Sequence, residues 1–376
     1  MNNFFFKILQ HAPTDIESIV VVTHLVPGVE EFVLAMHQKI PVSTVIPKPN
    51  SINQHVVSKI EPHVPILRYS RAAIRSRTTA FLDELKTHVS DKRFAVIDTG
   101  GYFSHVLHKM AARGRFNIAG IVEDTENGHQ KYEALLGGNP GVGLPVPILS
   151  VARSKLKEPE DFLVGQAVVF SADALLRECG LLLTGKQAAV FGYGKVGSSI
   201  AAALRAKGIM VHVHDCNPVR QALAFAHGYG PGNRERIIGE ADFLFCATGN
   251  KSMRSTDTEI LKHGAFIFTA TSGDDEIEDY EKILAIRRPS AIHPRVSSLP
   301  STKGSVFLCN DGNSMNFMHG GVVGPFIKLV QAELILALSQ LRTAHRDRIS
   351  QLSDESKRFI AEIWLSHFHD SYRDKK

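Results

Sequence analysis

Short apolar runs alternate with helical patterns over the first third of the chain. SIVVVTHL (18–25), FAVIDTGGY (94–102) and NIAGIVED (117–124) are nearly continuous in apolar character, and each ends in polar residues. Such runs predict strands covered on both faces, which is the pattern of a parallel sheet with helices on either side. Ligands bind at the carboxyl ends of strands in these sheets. His24, Asp98 and the pair Glu123–Asp124 fall at those ends. A second series begins near Lys186 with QAAVFGYG, a helical stretch through Arg205, then IMVHVHD, ADFLFCATG and GAFIFTATS. It predicts a second doubly wound unit. The later helix GPFIKLVQAELILALSQL has no strands of its own to cover, so it is expected to return to the first unit.

The expected architecture is therefore α/β, two doubly wound parallel-sheet domains with a Rossmann dinucleotide domain inserted into a substrate domain. The expected boundaries are 1–182 for the substrate domain, 183–312 for the inserted domain, 313–345 for the returning helix and 346–376 for a helical tail. Hinge crossings are expected near 180–186 and 310–320. Ile349, Leu352, Ile360, Ile363 and Trp364 make an apolar stripe on the tail, which suits a helix docked on its own or a partner subunit.

Composition narrows the class without deciding the function. The 376 residues are 44% hydrophobic and 22% charged, as in ordinary globular proteins. A net charge of +5 without a Lys/Arg block or basic–aromatic stripe gives no footprint for nucleic acid. Cys179, Cys216, Cys246 and Cys309 lie far apart, which argues against a disulfide framework or zinc site and suits a reducing cytoplasm. The apolar patch in MNNFFFKILQHAPTD is too short for a secretory signal, and no cleavage site follows. Lys328, Gln331 and Glu333 interrupt the late apolar helix, so it reads as buried and not as a membrane span.

Gly192, Gly194 and Gly197 form G-x-G-x-x-G between a predicted strand and a predicted helix. The first glycine permits the tight turn, the second lets backbone N–H groups approach a pyrophosphate, and the third lets helix and strand pack closely. Asp215 lies 21 residues after Gly194 at the end of the next strand, where a carboxylate accepts bonds from an adenosine ribose. That carboxylate would repel a 2′-phosphate, which favours NAD over NADP, although Arg220 is close by in sequence.

The other candidates are ambiguous by themselves. Lys157 and Asp161 in KLKEPEDF have the spacing of a surface ion pair. Pro159 between them favours a shaped loop over an ordinary helix. Asp98 in DTGG serves equally as a helix cap, and His24 as a satisfied core histidine. Asn316 and His319 in NSMNFMHGG precede the returning helix, where capping is the plain role. HFHD (367–370) has the look of a metal pair but sits in a charged terminus, and no metal is expected.

Taken in order, these pieces resemble one family. THLVPGVEEFVLAM, VIDTGG, GIVEDTENGHQKYEAL, PILSVARSKLKEPEDFLVGQ, TGKQAAVFGYGKVGSSIAAALRAKG, ATGNKSM and NFMHGG are similar to segments of the S-adenosylhomocysteine hydrolase family. The glycine stretch is generic, whereas GIVEDTENG and KLKEPEDFLVG at this distance before it are specific. The resemblance implies that the first domain holds a nucleoside, the inserted domain holds NAD, and a hinge closes one over the other. It also implies a recycled NAD: hydride leaves the ribose 3′-carbon, the C4′ proton is lost, the 5′ substituent is expelled, water adds, and the hydride returns.

Residue by residue, the resemblance makes a desolvated Lys157 the base for the 3′-hydroxyl. Asp161 would orient it, Asp98 would be a candidate base near the 4′ proton, and His24 would stand near the 5′ side. Asp124, Asn316 and His319 would bind substrate. Lys195, Val196, Thr125, Thr248 and Asn316 would join the glycines and Asp215 around NAD. The chain also departs from the family. Asp124 replaces a Glu, the family's threonine run reads Thr125–Glu126–Asn127, Phe162 replaces Asn, Gln166 replaces Cys, and a catalytic histidine falls at about Ser272. SYRDKK does not reproduce the family's Lys and Tyr tail. The expectation is a cytoplasmic homo-oligomer, a dimer or tetramer, acting on S-adenosylhomocysteine or a related adenosine derivative, with elimination favoured over hydrolysis. An NAD-dependent dehydrogenase with net oxidation and a catalytically lapsed NAD-binding regulator are the alternatives.

Overall fold

A computed structural model describes residues 3–137, 143–230 and 233–369. Two compact units emerge: Met1–Lys157 together with Gly324–Lys376, and Glu158–Val323 between them.

The first unit is built on five parallel strands, β1 (Ser18–Leu25), β2 (Val42–Ile52), β3 (Phe94–Asp98), β4 (Ile118–Glu123) and β5 (Ile148–Ser150), in the order β2-β1-β3-β4-β5. Alternate residues serve opposite faces. Ile19 and Val21 of β1 and Ala95 and Ile97 of β3 join one apolar cluster, while Val20, Val22, Phe94 and Val96 join another. Because both faces are covered, the sequence reads as unbroken apolar runs. The order reverses direction between β1 and β3, and ligands in such sheets bind beyond the strand ends at that reversal.

β2 escaped the sequence reading because Pro47 and Pro49 interrupt it. Prolines are tolerated there because β2 is an edge strand. The helix Ile327–Gln340 is buried from Leu329 to Leu338 and joins the first unit's core. The helix Asp354–Phe368 follows, with Ile360, Ile363 and Trp364 in the same core and Trp364 Nε1 donating to Pro325 O at 2.9 Å. The described part of the tail is thus docked on its own chain. SYRDKK and the Asp370 of HFHD lie outside the described residues.

The inserted unit carries β6 (Gln187–Phe191), β7 (Met210–His214), β8 (Phe243–Cys246), β9 (Phe266–Thr269), β10 (Arg288–Pro289), β11 (Val296–Ser301) and β12 (Gly304–Cys309), in the order β10-β11-β12-β9-β8-β6-β7. β12, β9, β8, β6 and β7 are parallel neighbours, whereas β10 and β11 add an antiparallel edge. That edge was not anticipated, since VSSLPS and GSVFLC are short and part polar. The strand order reverses between β6 and β8, the position of the glycine-rich turn.

Pro159 does not make a loop. It sits in the first turn of a 21-residue helix, Glu158–Glu178, where a missing N–H costs nothing because first-turn N–H groups have no helical acceptor. This helix packs on Lys195–Ala206. A Cβ on Gly165 would lie 2.5 Å from Ser199 Cβ, and Ser199 Oγ donates to Phe162 O at 2.6 Å. His319 Nδ1 meets Ser171 Oγ on the same helix at 2.9 Å. Both helix and turn therefore belong to the inserted unit, whose contacts end at 157/158 and 323/324 where the sequence suggested 182/183 and 312/313. Among the described residues no helix is long and apolar enough to cross a membrane.

Candidate functional site

In the first unit, the reversal point places His24 at the end of β1 and Asp98 at the end of β3. His24 Nδ1 meets Ser51 Oγ at 2.5 Å. Burial, then the charges of Lys48 and Lys157, hold its pKa well below the usual histidine range, so the ring is neutral at pH 7. Asp98 is fully buried. Its oxygens accept from Tyr102 N at 3.1 Å, Phe103 N at 3.0 Å and Tyr132 OH at 2.5 Å. The carboxyl group is thus held by the DTGG turn and by Tyr132.

Glu123, which sequence reasoning only placed at a strand end, is the second buried carboxylate. It accepts from Gly100 N, Gly101 N, Thr125 N and Thr125 Oγ1 at 2.7–3.1 Å. Burial and the neighbouring Asp98 push it up to about 8. Thr125 Oγ1 also accepts from Gly128 N at 3.1 Å at the start of the helix Glu126–Gly137. Its hydroxyl therefore serves the turn, where the resemblance had assigned it to cofactor. One residue past Glu123, Asp124 Oδ1 lies 2.9 Å from Lys157 Nζ. Lys157 is only 6% exposed. Asp161 lies 3.3 Å from Lys195 Nζ.

In the inserted unit, the turn after β6 has the geometry the motif requires. A Cβ on Gly197 would lie 1.9 Å from Gly192 O, and one on Gly192, at φ +95°, would lie 2.6 Å from Ala247 O. Glycine is obligatory at both. Gly194 differs, since the nearest atom to its missing Cβ is Arg220 Nη1 at 3.6 Å, so space is left in front of the turn. Lys195 and Val196 open the helix Lys195–Ala206, whose N-terminus faces that space. Asp215, just past β7, accepts from Tyr193 N at 2.6 Å and Asn217 N at 2.8 Å. This donor set fits a dinucleotide: a glycine turn with space in front of it for the pyrophosphate, a helix N-terminus, a cation in Arg220 and a carboxylate at the end of the next strand.

A further organiser escaped the sequence reading. Glu276 is completely buried, and it accepts from Thr248 N, Thr248 Oγ1, Gly249 N, Ser252 Oγ and Thr271 Oγ1 at 2.6–3.2 Å. It fixes the loop after β8 on the far side of the reversal point. Thr248, assigned to cofactor from the resemblance, is therefore held in place by this carboxylate. In GDDEIED an isolated acid among acids reads as solvated surface, which is why it was missed.

The remaining candidates are held by local contacts. Asn316 is buried, with Oδ1 accepting from Ser314 Oγ at 2.6 Å, and the His319 ring packs edge-on against Phe170. Gln166 Nε2 donates to Ser199 Oγ at 3.2 Å, and Phe162 is exposed. Ser272 precedes the short helix Gly273–Glu276 and its carbonyl accepts from Asp275 N and Glu276 N. Among the described residues no group of His, Cys, Asp and Glu is placed to hold a metal ion.

Residues 168–320 match the NAD-binding domain of S-adenosyl-L-homocysteine hydrolase. Adenosylhomocysteinase of Thermotoga maritima is 29% identical over 281 residues, 72% of this chain and 67% of that protein. The chain is thus similar to the S-adenosyl-L-homocysteine hydrolase family, most directly through the NAD-binding domain at residues 168–320. Its cofactor is NAD, as the motif suggested. Similar solved structures include a glyoxylate reductase from Paecilomyes thermophila, at 13% identity and a TM-score of 0.47 over 86% of this chain and 96% of that one. A putative D-3-phosphoglycerate dehydrogenase from Ralstonia solanacearum gives 13% and 0.47 over 93% and 95%.

Proposed function

We propose that this protein is an NAD-dependent enzyme acting on an adenosine-derived nucleoside by transient oxidation at the ribose 3′ carbon, followed by elimination and addition across C4′–C5′. The observation that carries the reading is the Lys157–Asp124 pair, withdrawn from solvent at the ends of the first unit's strands. NAD, when bound, supplies the acceptor and the donor of hydride, and Gly192, Gly194, Gly197, Lys195, Arg220 and Asp215 are the residues to hold it.

Lys157 takes the proton of the 3′ hydroxyl, and Asp124 fixes its ammonium and receives a ribose hydroxyl bond. General-base help of this kind is worth ~10²–10⁴-fold. His24, neutral and backed by Ser51, is the group on the β1 side able to accept or return a proton. In this mechanism Asp98 and Glu123 position the DTGG turn and do not exchange protons with substrate. Asn316 and His319 complete the reading as polar groups of the inserted unit, with His319 oriented by Ser171. Ser272 cannot shuttle a proton near neutrality as imidazole does, so elimination outruns hydration. The test is to add adenosine to the purified holoenzyme and follow the NADH absorbance band. Growth of the band, reversed on product removal, supports the reading; no change with any adenosine derivative contradicts it.

A further inference from the structure

β4 and β5 run in register, with Ile121 beside Ile148, Val122 beside Leu149 and Glu123 beside Ser150. Val151 N extends the ladder by donating to Glu123 O at 2.9 Å. Beyond that bond the two chains part. One continues through Asp124 into the helix Glu126–Gly137, and the other turns through residues 151–157 to Lys157. The Lys157–Asp124 pair therefore spans two segments that have left the sheet.

Arg153 joins the same two segments from the solvent side. Its Nε donates to Glu126 Oε2 at 3.0 Å and its Nη2 to Glu126 Oε1 at 2.7 Å. Nη1 donates to Glu133 Oε1 at 2.9 Å and Nη2 to Glu133 Oε2 at 3.0 Å. Glu126 and Glu133 lie two turns apart on one face of their helix, so a single guanidinium forks onto both. Each carboxylate is also held from its own helix. Gln130 Nε2 donates to Glu126 Oε1 at 3.2 Å, and His129 Nε2 lies 3.2 Å from Glu133 Oε1. Burial works against charge on both carboxylates, but the bonds from Arg153 hold them below the usual range, so the fork stays charged at neutral pH.

What such a bridge contributes is geometry. The side chains of Arg153, Glu126 and Glu133 are 42%, 35% and 45% exposed, and ion pairs so open to water add little stability. A forked guanidinium nevertheless fixes distance and angle, which an ammonium does not. Glu126 is two residues past Asp124, and Arg153 is four residues before Lys157. The turn between Arg153 and Lys157 is tied internally, with Ser154 N donating to Val151 O at 2.9 Å and Lys157 N to Ser154 O at 3.3 Å. Asp124 has its own anchor, its N donating to Asp98 O at 2.9 Å. The bridge is thus left to place the lysine side of the pair.

We propose that Arg153 is a positioning residue, whose double fork onto Glu126 and Glu133 sets Lys157 against Asp124. The inference rests on the nucleoside reading above, in which that pair serves the first chemical step, and it adds a residue that acts through the pair.

The experiment uses the full-length holoenzyme and two readouts. One is the rate of NAD reduction in single turnover against adenosine concentration. The other is backbone hydrogen exchange over residues 151–157, with β6 as the internal reference. Arg153→Gln should lower the saturating rate about tenfold or more, because misplacing a reacting group by ~1 Å costs up to ~10²-fold. The half-saturating concentration should stay within about threefold, since the loss falls on the chemical step and not on binding. Melting should stay near wild type, and exchange should quicken over 151–157 but not in β6. Arg153→Lys keeps the charge without the fork and should recover only part of the rate. Glu126→Gln combined with Glu133→Gln should reproduce the Arg153→Gln loss, and adding Arg153→Gln to that pair should cost nothing further. A wild-type saturating rate in Arg153→Gln, or additive losses, overturns the inference. Wild-type holoenzyme that reduces no NAD with any adenosine derivative overturns the catalytic reading instead. Quickened exchange over 151–157 in Arg153→Gln then still supports the bridge, and unchanged exchange overturns it too.

Discussion

Lys157 Nζ stands 2.9 Å from Asp124 Oδ1, with the two side chains only 8% and 17% exposed. An ion pair this far from solvent is costly to assemble and costly to break, so its position at the strand ends suits chemistry better than stability. Lys157→Gln should cut the rate of adenosine-driven NAD reduction by ~10²–10⁴-fold, read from the NADH band in single turnover. Asp124→Glu, which restores the family's longer carboxylate, should leave that rate within about tenfold of wild type. An unchanged rate in Lys157→Gln would remove the lysine from the mechanism.

The glycine-rich turn separates folding from cofactor binding. Gly197→Ala drives a methyl into Gly192 O, so it should lower stability by about 1–3 kcal/mol or prevent folding. Gly194→Ala meets nothing closer than 3.6 Å and should melt close to wild type, yet lose NAD because its methyl fills the pyrophosphate cradle. Dinucleotide released on denaturation measures both. Retained NAD in Gly194→Ala would place the cofactor elsewhere.

Asp215 holds the turn and is the carboxylate proposed to meet the ribose. Asp215→Ala removes the acceptor of Tyr193 N and Asn217 N as well as the carboxylate offered to the ribose. Calorimetric affinity for NAD should fall at least ~10-fold, the value of one good charge-assisted bond. A smaller change would show that the ribose is held without it.

Glu276 tests the loop after β8. With Gln at 276, one oxygen becomes an NH₂ that cannot accept from the donors now around it. Leaving a buried donor unsatisfied costs about 1–3 kcal/mol. Glu276→Gln should therefore melt lower than wild type and bind NAD more weakly, measured by thermal shift with and without added NAD.

Glu123 gives a pH dependence. Its folded pKa, about 8, lies above the usual 4.5. The folded state therefore binds the proton more tightly than the unfolded chain does. The resulting stability is complete below about pH 4.5 and is lost as pH rises through about 8. Melting temperature should fall between pH 6 and 9, on the order of those limits, and Glu123→Gln should flatten the slope while lowering stability throughout.

Much of the fold was legible because strands covered on both faces leave unbroken apolar runs, as in β1, β3, β4, β6, β8 and β9. What stayed hidden had a physical reason in each case. β2 hid behind Pro47 and Pro49, tolerable only because it is an edge. The helix Glu158–Glu178 hid behind a proline that its first turn accommodates. The glycine-rich turn between β6 and the helix Lys195–Ala206 was legible from spacing alone. Long-range partners were not: nothing in the spacing shows that Asp124, at a strand end 33 residues away, reaches Lys157. Nor does any pattern in DTGG show that Asp98 is fully buried or that Tyr132 reaches it.

The most direct measurement is C4′ exchange. Adenosine and S-adenosylhomocysteine are incubated separately with the holoenzyme in D₂O, and deuterium at C4′ is followed by NMR alongside homocysteine release and the NADH band. Transient 3′-oxidation with Ser272 in place of an imidazole gives C4′ deuteration faster than homocysteine release, with the NADH band never exceeding the one equivalent of bound cofactor. Deuterium absent from C4′ with both nucleosides, or NADH accumulating in step with a released ketone, would contradict the account.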